Sequence, residues 1–402
     1  MDRKVNDKLN IGIVTTWFER GAAYVSRAYM KTLANNHDVW IYVRGGEEYA
    51  QGNSDWDDVN IWWGKRRRIG VPQYIDWGDF QDWIRQRHID VIIFNEQQSW
   101  DVILRCRNEN FLIGSYVDYY TVRTVPFFQL YDFLLCNTQR HFDVFKDHLQ
   151  ALYIPWGTDC DLFKSRGKPE SQSYVTFFHS CGVSPYRKGT DLLVRAFQEI
   201  HHDARLIIHT QNPINIPGIN DLIEKDDRIK VIEEVVGAPG LYHLGDVYVY
   251  PTRLEGIGLT IAEAAASGLP VITTDNAPMN EFVKHGVNGR LVAVNYYKDR
   301  EDGYYWPESI CSVKDLAANM QFYIDQQHDL VKFKAAARQF AESNLNWKLN
   351  SAHLPYQLSQ LNSLSKPSRL YWSAAKYEYL GYPKLMWSAF VRKIRAYSKK
   401  KL

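Results

Sequence analysis

Short apolar runs and stretches of helical spacing alternate along most of the chain. The first run, NIGIVTT from Asn10 to Thr16, leads through a glycine-containing loop, Trp17 to Ala22, into helical spacing from Tyr24 to Leu33 and a second β-type run from Val39 to Val43. Strand, loop, helix, strand is how a doubly wound sheet begins. The rhythm continues with a helix near Phe80 to Arg87, strands at Asp90 to Phe94, Phe111 to Tyr116 and Phe133 to Cys136, a helix from Thr138 to about His148, and a run from Ala151 to Ile154. Strands this apolar, spaced by helices, imply a mostly parallel sheet covered on both faces.

A turn-rich passage follows from Pro155 to Ser173, with Gly157, Gly167 and Pro169, and reads as a linker. The alternation then restarts. Strands are expected at Tyr174 to His179, Arg205 to Ile208, Val231 with Ile232, Asp246 to Tyr250 and Pro270 to Thr273. Helices are expected at Gly189 to Ile200, Pro239 to His243, after Gly258 as far as Ser267, and from Val313 to Leu361. The expected organisation is therefore α/β: a Rossmann-like domain over 1–160, a second over 161–345, and terminal helices with a basic aromatic tail over 346–402.

Composition narrows this picture. With 45% hydrophobic residues in 402, each domain can fill a core. The formal net charge of +2 conceals an asymmetry: from Ser365 onward ten Lys or Arg face the single acid Glu378, while the preceding residues hold 38 basic and 45 acidic side chains. That balance excludes a nucleic-acid footprint over the whole protein and leaves a local basic tail. In the tail, Trp387, Phe390, Val391 and Ile394 share one helical face beside Arg392, Lys393, Arg395 and Lys399 to Lys401, a pattern suited to an anionic membrane interface. Five cysteines without CxxC spacing, no apolar leader and no run approaching the ~18 residues of a membrane span point to a cytoplasmic protein, peripheral on the membrane through its tail.

The chemistry concentrates in YPTRLEGIGLTIAEAAASGLPVIT, Tyr250 to Thr273. Val247 and Val249 end a strand, Gly256 and Gly258 let backbone approach a ligand, and Ile261, Ala262, Ala265 and Ala266 have helical spacing. A helix beginning there would aim the amides of Leu259 and Thr260 at an anion, with roughly half a positive charge at its tip, which suits a diphosphate. Glu255 on the loop and Glu263 one turn into the helix can then face the same ligand. Upstream, VSPYRKGTDLLVRAF sets Arg187 and Lys188 at a second helix start, where cations can neutralise a leaving diphosphate.

These two segments resemble the family 4 retaining glycosyltransferases of the GT-B fold, the "glycosyl transferases group 1" type. Glu255, Gly256, Ile257, Gly258, Leu259 and Glu263 stand in register with that family's E-G-x-G-L-x-x-x-E frame, and Lys188 with Gly189 looks like its lysine-glycine motif. The resemblance implies two Rossmann-like domains facing a cleft, with a nucleotide-sugar donor as substrate and a glycan or lipid-linked acceptor. It implies Glu255 on the transferred sugar, the Leu259 and Thr260 amides on the diphosphate, Glu263 on the ribose and Lys188 on phosphate, with no metal and no other cofactor. The family's usual arginine after a glycine is replaced here by Val183 after Gly182, and Arg187 is the substitute cation. In the N-terminal half, Gly21 in RGAA matches a glycine pair in part, and Asp118 stands where relatives carry a histidine. Asp118 could orient the incoming nucleophile or bond a sugar hydroxyl, and Glu96 ends another strand. A sugar-nucleotide epimerase and a non-catalytic nucleotide-sugar-binding protein are the alternatives. A dinucleotide oxidoreductase is disfavoured because no GxGxxG follows the first strand. The histidines His179, His202, His209 and His243 lack a shared metal-ligand spacing.

Overall fold

The computed structural model describes residues 8–66, 73–106, 109–165, 173–201 and 204–380. Among these, one compact unit takes in the residues up to Asn137, His141–Ile154 and those from Ser351 on, and the other takes in Thr138–Arg140 and Pro155–Asn350.

Along the first unit run β1 (Asn10–Thr15), α1 (Gly21–Leu33), β2 (Asp38–Val43), β3 (Ile61–Trp63), α2 (Trp77–Arg87), β4 (Val91–Asn95), α3 (Trp100–Arg105), β5 (Leu112–Tyr116), β6 (Phe133–Cys136), α4 (Gln139–Phe145, which belongs to this unit from His141 on) and β7 (Ala151–Tyr153). The strands form a seven-stranded sheet ordered β3-β2-β1-β4-β5-β6-β7, every neighbouring pair parallel. β4, β5 and β6 are buried along their whole length, the burial that helices on both faces impose on a parallel sheet. α1 turns Ala22, Ala23, Val25, Tyr29 and Leu33 inward, and the buried Tyr29 hydroxyl donates to Asn137 Oδ1 at 2.8 Å.

The second unit repeats the plan with β8 (Val175–Gly182), α5 (Thr190–Gln198), β9 (Ala204–Thr210), α6 (Asn220–Glu224), β10 (Ile229–Glu233), β11 (Val247–Tyr250), α7 (Leu259–Ala266), β12 (Val271–Thr274), α8 (Met279–Phe282) and β13 (Gly289–Val292). Its six parallel strands are ordered β10-β9-β8-β11-β12-β13. A hairpin of β14 (Val294–Lys298) and β15 (Glu308–Cys311) precedes α9 (Val313–Asp325), α10 (Leu330–Asn344) and α11 (Trp347–Asn350). Leu193, Val194 and Phe197 of α5 join Leu316 and Met320 of α9 in one buried cluster with the sheet. Each such side chain contributes roughly 1.5–3 kcal/mol relative to exposure.

The chain then returns to the first unit. α12 (Leu354–Ser359) packs on α1, where His37 Nε2 lies 3.2 Å from the Pro355 carbonyl oxygen. The buried Asp132 carboxylate accepts from Ile113 N, Leu364 N and Lys366 Nζ at 2.8–2.9 Å, fastening the terminal segment to the sheet.

Most expected elements are present with shifted ends. The segment Pro239 to His243, expected as a helix, is only a 3-10 turn at Tyr242–Leu244, because Pro239 supplies no amide and Gly240 sits at φ +71°. The helix expected from Thr138 to His148 closes at Phe145. The tail face from Trp387 to Lys401 lies outside the described residues, as does His202.

Candidate active site

The strand order of the second unit reverses between β8 and β11, and ligands of open α/β sheets bind beyond the strand ends at such a point. Lys188 follows β8 and Glu255 follows β11. Two glycines bring the loops together. Gly189 (φ +74°) caps α5 with a backbone that disfavours a side chain, and a Cβ there would lie 2.0 Å from the Pro251 carbonyl oxygen. Gly258 (φ +92°) caps α7 in the same left-handed conformation.

Glu255 is the hub, only 6% exposed. Its Oε1 accepts from Lys188 Nζ at 2.7 Å, Thr252 Oγ1 at 2.7 Å and the Tyr250 hydroxyl at 2.9 Å, while Oε2 faces Arg187 Nη1 at 3.3 Å. Lys188 Nζ also donates to the Tyr250 oxygen. Burial by itself would raise the Glu255 carboxyl, but the charges of Lys188 and Arg187, with hydrogen bonds from Lys188 and Thr252, hold it down at about 2. The Lys188 ammonium is pushed the other way: burial and the neighbouring Arg187 charge lower it to about 8 against the support of Glu255. At pH 7 the site therefore holds one carboxylate between two cations.

Glu263 sits half-buried one turn into α7, its Oε2 accepting from the Tyr242 hydroxyl at 2.6 Å. Burial raises its carboxyl to about 7, opposed by that hydrogen bond and by Lys188. The tip of α7 has no side-chain cap, since Gly258 stands at the capping position; the first backbone bond is Ile261 N to the Gly258 oxygen at 3.0 Å. The amides of Leu259 and Thr260 stand at this uncapped tip, where a helix favours negative charge.

A buried brace holds this geometry. The Arg253 guanidinium grips Asp191 with two bonds of 2.8 and 2.7 Å and stacks 4.0 Å from the Tyr186 ring centroid. Its amide donates to the Arg187 oxygen at 2.8 Å, and its own carbonyl accepts from Ser309 N at 2.8 Å. One residue thereby ties the Glu255 loop to α5 and to β15.

Arg187, Lys188, Glu255, Gly256, Ile257, Gly258, Leu259, Thr260 and Glu263 accordingly belong to one unit and converge on the ends of β8 and β11. Gly21 and Asp118 belong to the other unit. Gly21 is the first residue of α1, and Asp118 is half-buried in the loop after β5. Glu96 follows β4 at φ +52°, with Arg20 Nη2 3.7 Å from its Oε2. His179 is wholly buried with Nδ1 2.8 Å from the Val249 oxygen and Nε2 2.9 Å from Thr190 Oγ1, a core histidine with both nitrogens engaged. Among the described residues no group of His, Cys, Asp or Glu is arranged to hold a metal.

Tyr242, Tyr250, Thr252 and the Arg253–Asp191 pair escape the sequence reading. The legible signal was the cluster of polar residues Thr252, Arg253 and Glu255 between a buried strand and a buried helix.

Comparison with known proteins places the same region. Residues 174–301 match the family model described as glycosyl transferases group 1. Over this segment the chain is similar to the group 1 glycosyltransferases. The segment contains Lys188, Glu255 and Glu263, the residues gathered at the strand ends. The chain is 32% identical over 120 residues to the lipopolysaccharide core biosynthesis mannosyltransferase LpcC of Rhizobium leguminosarum bv. viciae, covering 27% of this chain and 34% of that protein. It is 26% identical over 229 residues to a GDP-mannose-dependent alpha-(1-6)-phosphatidylinositol monomannoside mannosyltransferase of Mycobacterium tuberculosis, covering 50% and 54%. The chain spans about half or less of the length of the first curated relatives that it matches. Among solved structures, Anabaena HepE in complex with UDP and glucose superposes with a TM-score of 0.68 at 16% identity over 88% of this chain and 100% of that one. The fold class is GT-B, as the group 1 motifs imply. No helix among the described residues is long and apolar enough to cross a membrane.

Proposed function

We propose that the protein is a metal-independent, retaining glycosyltransferase that moves a hexosyl group from a nucleotide sugar to a glycan or lipid-linked acceptor in cell-surface polysaccharide or glycolipid synthesis. The observation that carries this reading is Glu255, buried and ionised between Lys188 and Arg187 beside the uncapped tip of α7. The relatives' names support the substrate class, since two are mannosyltransferases and a structure of the same fold holds UDP and glucose.

In this mechanism the Leu259 and Thr260 amides and Lys188 hold the donor diphosphate. Glu255 accepts hydrogen bonds from the sugar hydroxyls, and Glu263 accepts them from the ribose. The acceptor oxygen bonds to the anomeric carbon on the face from which the phosphate oxygen departs. That phosphate oxygen takes the acceptor's proton, so configuration is retained without a protein nucleophile. Lys188 and the α7 tip stabilise the charge that grows on the leaving diphosphate, with Arg187 as a second cation. Gly21 keeps a donor-side assignment, and Asp118 that of orienting the nucleophile or a sugar hydroxyl. The protein works in the cytoplasm at an anionic membrane surface.

The test is transfer from a panel of nucleotide sugars to a soluble acceptor mixture, with the anomeric product read by NMR. Lys188→Ala and Glu255→Ala should each lower kcat by about 10²–10³-fold, the loss typical of removing one preorganised electrostatic contact. An inverted product would refute retention, and full activity in either variant would refute the site.

A further inference from the structure

We propose that the helical residues 368–380 present Arg369, Trp372, Lys376 and Tyr379 as a docking face for an anionic lipid bilayer. This deepens the reading above by assigning a membrane-contact surface, and it lies in the other unit from Glu255.

The helix has two unlike sides. Ala374 is fully buried, Tyr377 meets the Phe127 ring at 5.6 Å between centroids, and Glu378 accepts from Ser99 Oγ at 2.7 Å and from the Trp100 amide at 3.0 Å. Glu378 thus supplies α3 with the N-terminal cap that its own Ser99 does not provide. The consequence is electrostatic. The single acid after Ser365 is turned inward against α3, leaving the other side without negative charge.

That other side is defined by spacing. Trp372, Lys376 and Tyr379 stand at i, i+4 and i+7, with Arg369 three residues before Trp372, so all four share one face. Trp372 is 70% exposed, Tyr379 80% and the adjacent Leu380 60%, and neither Arg369 nor Lys376 is ion-paired among the described residues. Exposed aromatic rings interleaved with unpaired cations match the interface between headgroups and acyl chains, where an indole or phenol sits half-wet and a cation meets lipid phosphate. Charge decides the occupant: eight further Lys or Arg lie between Ser365 and the C-terminus, so the surface that attracts this segment is anionic.

The experiment is co-sedimentation of the full chain with phosphatidylcholine vesicles that contain or lack phosphatidylglycerol. Wild type should bind the anionic vesicles and leave the neutral ones, with binding weakened by salt. The double variant R369Q/K376Q should bind about 25-fold more weakly, taking each basic residue near the surface as worth about fivefold. W372S/Y379S should also lose binding, and both variants should melt at the wild-type temperature. Wild-type binding in both folded double variants would overturn the proposal, as would indifference to phosphatidylglycerol. Lipid-free self-association that W372S/Y379S abolishes would also overturn it, assigning the face to a second copy of the chain. Nucleotide-sugar binding measured without vesicles stays intact in every variant, so failure here is separate from failure of the transfer reading.

Discussion

Glu263→Gln should remove a specific pH dependence from nucleotide binding. Burial raises the Glu263 carboxyl from its ordinary range to about 7, so in the unliganded unit it is largely protonated at pH 6 and largely ionised at pH 8. If ribose hydroxyls donate to this carboxylate, the ionised form binds and the protonated form loses an acceptor. The ionised fraction climbs from about one tenth to about nine tenths between these pH values, so affinity should rise about tenfold. Lys188 works against this, since an ammonium lowered to about 8 begins to lose its charge over the same interval, and the nucleotide's phosphates titrate too. Both effects are shared by wild type and Glu263→Gln. The ratio of the two dissociation constants therefore isolates Glu263. Calorimetric titration with UDP and with GDP at pH 6, 7 and 8 should show the variant-to-wild-type ratio growing about tenfold. A ratio that stays flat would remove Glu263 from the ribose.

Three further outcomes follow from the same site. Arg253→Met leaves the buried Asp191 carboxylate uncompensated and should cost about 3–5 kcal/mol in the unfolding transition of the second unit, measured by denaturant titration; a change below 1 kcal/mol would show that the pair does not brace the loop. Glu255, depressed from about 4.5 to about 2, contributes stability that is fully present above pH 4.5 and lost as pH falls through 2; the contribution is roughly 3 kcal/mol, and Glu255→Gln should flatten that acid limb in thermal melts between pH 2 and 5. Transfer activity should be unchanged by EDTA, and a loss restored by a divalent cation would contradict charge stabilisation by Lys188 and the α7 tip.

The fold was legible because parallel strands buried on both faces announce themselves as apolar runs, as β4 and β5 do. β3 escaped because Ile61–Trp63 is three half-buried residues, too short for any period. The β14–β15 hairpin escaped because its first strand is mostly exposed and so lacks an apolar signature. At the candidate site, Glu255, Gly258 and Glu263 were readable because they stand within nine residues of one another, between the buried strand β11 and the start of α7. Tyr242 was not, since 21 residues separate it from the Glu263 it meets, and the Arg253–Asp191 brace joins residues 62 apart. Such pairings depend on strand order, which periodicity does not encode.

In the proposed reaction a nucleotide sugar binds at the ends of β8 and β11. Hydrogen–deuterium exchange on the full chain, with and without a saturating donor found by thermal shift, tests this directly. Slowed exchange should concentrate in the amides of 182–189 and 255–263, with Leu259 and Thr260 most protected. Unchanged exchange in both segments, with protection elsewhere in the chain, would contradict it.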